Sequence, residues 1–270
     1  MTTALWKMAS FNVNSVRSRL ELLKAWFEHR GNDLDVLAMQ ELKAVEEQFP
    51  HDFFKPYGFR CYINPQKRYN GVAVCAKDEP DQVLIRFEDE LLDAESRMIY
   101  ARFGALHLIN VYAPHGDLYG DKFRFKMQWY EALRAWLDKR FDPQTDRLIL
   151  TGDFNVTFDD RDVYDPELLA GSIGTLPEER RQLHALTEWG LVDAFRHLHP
   201  DTVQYTWWDY QGAKIWKNQG MRIDFILITP PVIPYLKEVE VDIWARRKNK
   251  IKPSDHAPVV GIFERGLLEG

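Results

Sequence analysis

Eight short apolar runs constrain this chain more than any other feature. They are LWKMASF, DVLAMQ, NGVAVCA, MIYARFG, LHLINVYA, RLILTG, IDFILIT and APVVGIF, each with the length and composition of a strand. Only three stretches carry helical spacing. The first spans SVRSRLELLKAWFEHRG, with Ser15 as its cap, Val16, Leu20, Leu23 and Phe27 along one face, and Gly31 as its stop. The second is DKFRFKMQWYEALRAWLDKR, with Phe123, Met127, Tyr130, Leu133 and Leu137 in phase. The third is LPEERRQLHALTEWG, with Pro177 near its start and Gly190 at its end. An alternating strand–helix chain would need more helices. The pattern predicts a largely antiparallel, two-sheet core with helices packed outside, in one domain over 1–270.

Polar residues fall at the ends of these runs. Asn12 and Asn14 follow the first, Glu41 the second, and Tyr112 lies near the end of LHLINVYA. Asp153 and Asn155 follow RLILTG, Asp224 precedes FILIT, and Asp255–His256 precedes APVVGIF. Any one of these could simply end a strand or make a turn. Together they offer oxygen ligands, a phenol and an imidazole, with almost no lysine. Asp153 and Asn155 are two apart, so in an extended chain both face one place. Mg²⁺ prefers such oxygen donors and needs only one or two carboxylates besides substrate phosphate. Without a cation the carboxylates would repel one another. Clustered His and Cys are lacking, which argues against zinc, and no glycine-rich nucleotide loop is present. The set suits metal-assisted attack of water on a phosphodiester or phosphomonoester.

A chain of 270 residues, 45% hydrophobic, can bury a large core. No apolar run reaches the length of a membrane span, and MTTALWKMASFNVN lacks a secretory core. The expectation is a soluble, cytoplasmic protein without membrane association. Cys61 and Cys75 fit no metal spacing or disulfide framework, and Cys75 reads as a buried thiol. The acidic run FDDRDVYD (158–165) reads as a solvated loop, and His197 and His199 as surface or turn residues. Net charge is −6, but ARRKNKIKP (245–253) carries five cations. Arg246, Arg247, Lys248, Lys250 and Lys252 there form either a solvated loop or a phosphate-contacting one.

FNVNSVRSRL, QELK, NGVAV, NVYAPHGD, GDFNV, LPEER, YTWWDY, GMRIDFIL and PSDHAPV occur in this order along nearly the whole chain. In these motifs the sequence resembles the exonuclease III family of abasic-site DNA repair nucleases, within the DNase I-like superfamily. The resemblance implies an α/β, four-layer αββα sandwich. It implies Mg²⁺ as cofactor, with Mn²⁺ as the alternative ion. Glu41 would be the main metal-binding carboxylate, with Asn12 and Asp255 beside it. Asp153 would orient or deprotonate the attacking water and could itself touch a metal. Asn155 would help hold the phosphate, and it belongs with the metal-site group as well. His256 would contact the phosphate, oriented by Asp224, and Tyr112 would supply an active-site phenol. Asn14 stands where some relatives carry Asp. His115 stands where relatives often carry Asn or Gln, and Met221 where some place Trp. His115, Trp207, Met221 and Ile223 would then meet DNA, with Trp208 turned toward the sheet. The implied partner is duplex DNA with abasic sites or 3′ termini, acted on by a monomer. A phosphoinositide phosphatase or sphingomyelinase of the same superfamily is the competing reading, and a DNA-binding relative with a decayed site a third.

Overall fold

The computed structural model describes residues 4–247 and 251–270. Among these residues, twelve strands form two six-stranded sheets. The first sheet contains β1 (Leu5–Asn12), β2 (Val36–Gln40), β3 (Arg60–Asn64), β4 (Val72–Ala76), β11 (Leu236–Val241) and β12 (Val259–Glu264), in the order β11-β12-β1-β2-β4-β3. The second contains β5 (Gln82–Leu84), β6 (Met98–Phe103), β7 (Leu106–Tyr112), β8 (Arg147–Asp153), β9 (Val192–Asp193) and β10 (Asp224–Ile228), in the order β5-β6-β7-β8-β10-β9. Each sheet holds one parallel pair, β1–β2 and β7–β8, and every other pairing is antiparallel. Helix α1 (Leu20–Arg30) makes the first parallel crossover. After the short α2 (His51–Phe54), α3 (Asp121–Arg140) makes the second. The remaining helices are α4 (Pro166–Leu169), α5 (Pro177–Trp189), α6 (Ala194–Leu198) and α7 (Ile243–Arg247).

Alternation along the strands builds the layers. Met8, Val74, Leu108, Ile149, Ile226 and Val259 point between the sheets into a shared core. Their neighbours Ala9, Phe11, Leu37 and Cys75 face α1 through Leu22, Leu23, Trp26 and Phe27. On the other side, Val111, Leu148 and Leu150 meet Trp129, Leu133 and Leu137 of α3 and Leu183 and Leu186 of α5. The result is helix, sheet, sheet, helix, as expected. Among the described residues no helix is long and apolar enough to cross a membrane.

Several local expectations are corrected. Ser15 makes no side-chain cap: its φ is 84° and a 3₁₀ turn, Val16–Arg19, precedes α1. Gly31 does end α1, at φ 68°. The buried face of α3 runs through Lys126, Trp129, Tyr130, Leu133, Trp136 and Leu137, leaving Phe123 and Met127 half-buried. Cys75 is buried but not a free thiol. It is disulfide-bonded to Cys61, which stands directly opposite it across the β3–β4 ladder with their Cα atoms 3.9 Å apart. The run 158–165 is not wholly solvated. Asp162 is fully buried between Arg222 and Arg196, at 2.8 and 3.0 Å. His199 bonds Glu238 at 2.6 Å.

Candidate active site

The parallel strands β1, β2, β7 and β8 all run toward one end of the sandwich, where the two sheets bring their polar termini together. Antiparallel β10 begins where β8 ends, so Asp224 stands opposite Asp153. Ser10 of β1 pairs with Val259 of β12, which sets Asp255–His256 beside Asn12. Ser254 secures this by donating its hydroxyl to the Asn12 carbonyl at 2.7 Å. The termini open into a cavity of about 290 Å³. Asn12, Glu41, Tyr112, His115, Asp153, Asn155, Trp207, Met221, Ile223, Asp255 and His256 all line it, with Asn14, Ile173 and Gly174. Asp224 lies behind His256 rather than on the wall.

Backbone conformation delivers these groups. Glu41 and Asn155 both adopt left-handed φ values, 58° and 53°, which non-glycine residues rarely hold unless their surroundings impose it. The turn after Glu41 is held by bonds from the Leu42 and Lys43 amides to the Gly71 and Asn70 carbonyls, both 3.0 Å. Gly152 has φ 140°, and a Cβ there would collide with the Val111 carbonyl oxygen. Only glycine lets β8 approach β7 this closely just before Asp153.

Asp153 is oriented through both oxygens. Asn12 Nδ2 donates to Oδ2 at 2.8 Å, and the Asn155 amide donates to Oδ1 at 2.9 Å. Burial pushes its carboxyl up to about 7, against the pull of His256, with Asp224 adding to the rise. His256 Nδ1 lies 2.9 and 3.1 Å from the two oxygens of Asp224, and its Nε2 lies 3.7 Å from Asp153. Burial of the ring disfavours its charge. Asp224 and Asp153 outweigh that and push the imidazole up to about 10. Burial likewise drives the Tyr112 phenol well above its ordinary value, with Glu41 and Asp153 assisting, so it keeps its proton. Asp255 is the exception. Burial opposes its charge, yet His256, Asn14 and Trp207 hold its carboxyl below the usual range. Asn14 Nδ2 and Trp207 Nε1 donate to it at 3.0 and 3.1 Å.

The donors around the cavity are oxygens from Glu41, Asp255, Asp153, Asn12 and Asn155, a set that fits a hard divalent cation. Asp153, Asp224 and His256 also stand within 4.8 Å of one another. The His256 Nδ1 is committed to Asp224, so the carboxylates are the better ligands.

Sequence reasoning missed several supporting residues. Lys43 bridges Glu41 (2.9 Å) and Asn14 (2.7 Å). Arg97 lies over the Tyr112 ring at 5.1 Å. Lys126 and Glu179 form a fully buried ion pair; a lysine on the apolar face of a helical pattern was the available sign. The reading of Arg246 as a phosphate contact is also corrected. Arg246 is buried and donates to the Asp255 and Trp208 carbonyls at 3.3 and 3.0 Å, so it supports the site from inside. Lys248 and Lys250 lie outside the described residues. Trp207 lines the cavity, while Trp208 is buried in a small cluster with Tyr205, Ile215 and Ala257.

The profile of the Endonuclease/Exonuclease/phosphatase family matches residues 9–256. Exodeoxyribonuclease III of Haemophilus influenzae is 33% identical over 271 aligned positions, covering 96% of this chain and 100% of that one. The DNA repair nuclease APEX1 of Danio rerio is 30% identical, covering 94% of this chain and 80% of that one. An AP endonuclease from Archaeoglobus fulgidus superposes with a TM-score of 0.90 at 35% identity, over 96% of this chain and 99% of that one. A 3′ phosphatase from Neisseria, bound to a product DNA hairpin, superposes with a TM-score of 0.88 at 36% identity over the same shares. The chain belongs to the endonuclease/exonuclease/phosphatase family, in the branch that holds exodeoxyribonuclease III and the AP endonucleases.

Proposed function

We propose that this chain is a Mg²⁺-dependent DNA repair nuclease. It hydrolyses the phosphodiester 5′ to abasic sites and removes nucleotides or blocking groups from 3′ ends of duplex DNA, as a cytoplasmic monomer. The observation that carries the reading is the cavity itself. A general base, a charged imidazole with its orienting acid, a phenol and a carboxylate cluster all converge on one space beside an apolar wall.

Asp153 takes the proton from the attacking water. Its raised pKa makes it a stronger base than an ordinary carboxylate, and the bonds from Asn12 and Asn155 fix its aim. His256, charged and held by Asp224, donates from Nε2 to a phosphate oxygen. Asn155 spends one amide hydrogen on the Ala113 carbonyl at 2.9 Å and has a second for the phosphate. The protonated Tyr112 phenol is a further donor. Glu41 and Asp255, with Asn12, Asp153 and Asn155 at hand, would hold the cation, whose chemistry is to offset phosphate charge and stabilise the departing oxygen. Trp207, Met221 and Ile223 offer an apolar surface to a sugar without a base, and His115, exposed at the rim, reaches a flanking phosphate.

The test uses two labelled duplexes, one with a synthetic abasic site and one ending in a 3′ phosphate, each with Mg²⁺ or EDTA. Incision 5′ to the abasic site and 3′ trimming, both abolished by EDTA, are expected. Hydrolysis of inositol phosphates or sphingomyelin with neither duplex cut would overturn the DNA assignment. Binding without cleavage would indicate a decayed site.

A further inference from the structure

We propose that the buried Lys126–Glu179 pair is a positioning device that fixes three loops of the site in one arrangement. The inference rests on the roles just given to Asp153 and Asn155. Lys126, on α3, is fully buried, and its ammonium has three acceptors. These are Glu179 Oε1 at 2.6 Å, the Asn155 carbonyl at 2.8 Å and the His115 carbonyl at 3.1 Å. An ammonium has three hydrogens, so all are used. Glu179, on α5, turns its other oxygen to the amides of Gly174 and Leu176, at 2.6 and 3.2 Å. The pair thereby joins the loop after β7, the loop after β8 and the loop before α5. His115, Asn155 and Gly174, each bonded directly to the pair, all line the catalytic cavity.

Stability alone does not account for such a pair. Two charges withdrawn from water regain little net stability, and replacing both by apolar side chains of similar size is often neutral or stabilising. What an apolar replacement cannot supply is directed hydrogen bonds. Asn155 has the most need of them. It sits in a left-handed conformation, its carbonyl turned to Lys126 and its amide to Asp153. The spacing is close as well: a Cβ on Gly116 would stand 3.1 Å from Lys126 Cδ, and one on Gly174 3.3 Å from the Asn155 carbonyl oxygen. Lys126 and Glu179 touch no reacting atom in this arrangement; they act through Asn155, Asp153 and the Gly174 wall.

The test compares wild type with Lys126→Met, Lys126→Arg and the double variant Lys126→Met/Glu179→Met. Lys126→Met leaves Glu179 buried and unpaired, and folding loss alone could explain its defect. The double variant removes that ambiguity. Its urea midpoint should lie above that of Lys126→Met, because no buried charge is left without a partner, and below wild type by the cost of the backbone groups that lose their bonds. Its kcat on abasic duplex should fall about 100-fold, as misplacement by roughly an ångström does, with KM changed less than about threefold. Lys126→Arg should recover part of kcat. Amide exchange in the segments 154–157 and 173–176 should accelerate in the double variant. Wild-type kcat in a stable double variant, or unchanged exchange in both segments, would overturn the proposal. If wild type itself cuts no duplex, the nuclease reading fails instead, and the exchange measurement still decides whether the pair orders these loops.

Discussion

Asp224→Asn isolates the charge on His256. Both oxygens of Asp224 lie within 3.1 Å of Nδ1, and Asp224 is only 2% exposed. The rise of the imidazole from 6.5 to about 10 amounts to roughly 5 kcal/mol of preference for the charged ring. Asp224 is the nearest acid and Asp153 stands at 3.7 Å. Asp224 makes the largest upward contribution against the burial of the ring, so its loss should move the titration well down from about 10. The amide can also donate to Nδ1 and select the wrong tautomer, so kcat should fall on the order of 10²- to 10⁴-fold. The stability consequence has a defined sign. The folded ring binds its proton more tightly than the unfolded one. Its stabilisation is therefore complete below pH 6.5 and lost as pH rises through about 10. Asp153, raised from 3.8 to about 7, acts in the same direction at lower pH. The variant should be most destabilised near pH 6 and approach wild type near pH 10. Urea denaturation in EDTA across this range, beside kcat on abasic duplex, provides the assay. Undiminished kcat together with a pH-independent difference in urea midpoint would refute the reasoning.

Glu41→Gln should raise the Mg²⁺ concentration for half-maximal activity at least about tenfold, since the amide keeps an oxygen but loses the charge a hard cation prefers; an unchanged Mg²⁺ titration would remove Glu41 from the cation site. Gly152→Ala puts a methyl group into the Val111 carbonyl and should cost more than about 4 kcal/mol; a wild-type urea midpoint would show that β7 and β8 can part there. Asn110→Leu removes bonds from Asn110 to the Met39 and Ala73 carbonyls, each 2.8 Å, and from Gln40 at 2.7 Å. The unpaired partners should cost about 2–5 kcal/mol, read in the same denaturation assay, and a neutral result would mean that they find other partners.

The four strands missing from the sequence reading are β3, β5, β9 and β11, and these are the four edges of the two sheets. An edge strand has one unpaired ladder and need not be apolar on both faces, so its pattern is weak. LKEVEV of β11 buries only Leu236 and Val239, three apart across an irregularity in its ladder, and β9 is only two residues long. Missing β3 also hid the Cys61–Cys75 pairing, because nothing local told that the two cysteines stood side by side. Charges misled for a related reason. Asp162 and Arg222 are 60 residues apart, Lys126 and Glu179 are 53 apart, and a local window sees each only as a solvated ion. The site residues were legible because their strand-end positions recur down the chain, and their grouping because the ordered motifs resemble a known family. The cavity gathers them all except Asp224, which backs His256.

That gathering follows from a pattern the two sheets share. Each has a central parallel pair joined across a helix, with two antiparallel strands on either side of it. Both parallel pairs point their carboxyl ends the same way, so four strand ends meet at one rim. Face-to-face packing through apolar side chains alone would allow the sheets to slide. A buried polar layer lies one step beneath the site and opposes this: Gln40 of the first sheet donates to Asn110 of the second at 2.7 Å and to Ser10 at 3.0 Å. Hydrogen bonds in that setting specify one register, because any slip leaves buried groups unpaired. Ser10 and Asn110 sit two residues before Asn12 and Tyr112, and Gln40 one before Glu41. The register that satisfies the polar layer is therefore the one that sets Asn12 of one sheet 2.8 Å from Asp153 of the other. Asp153, His256 and Glu41 come from different sheets and loops, and their separation is fixed by the same bonds that align the sheets.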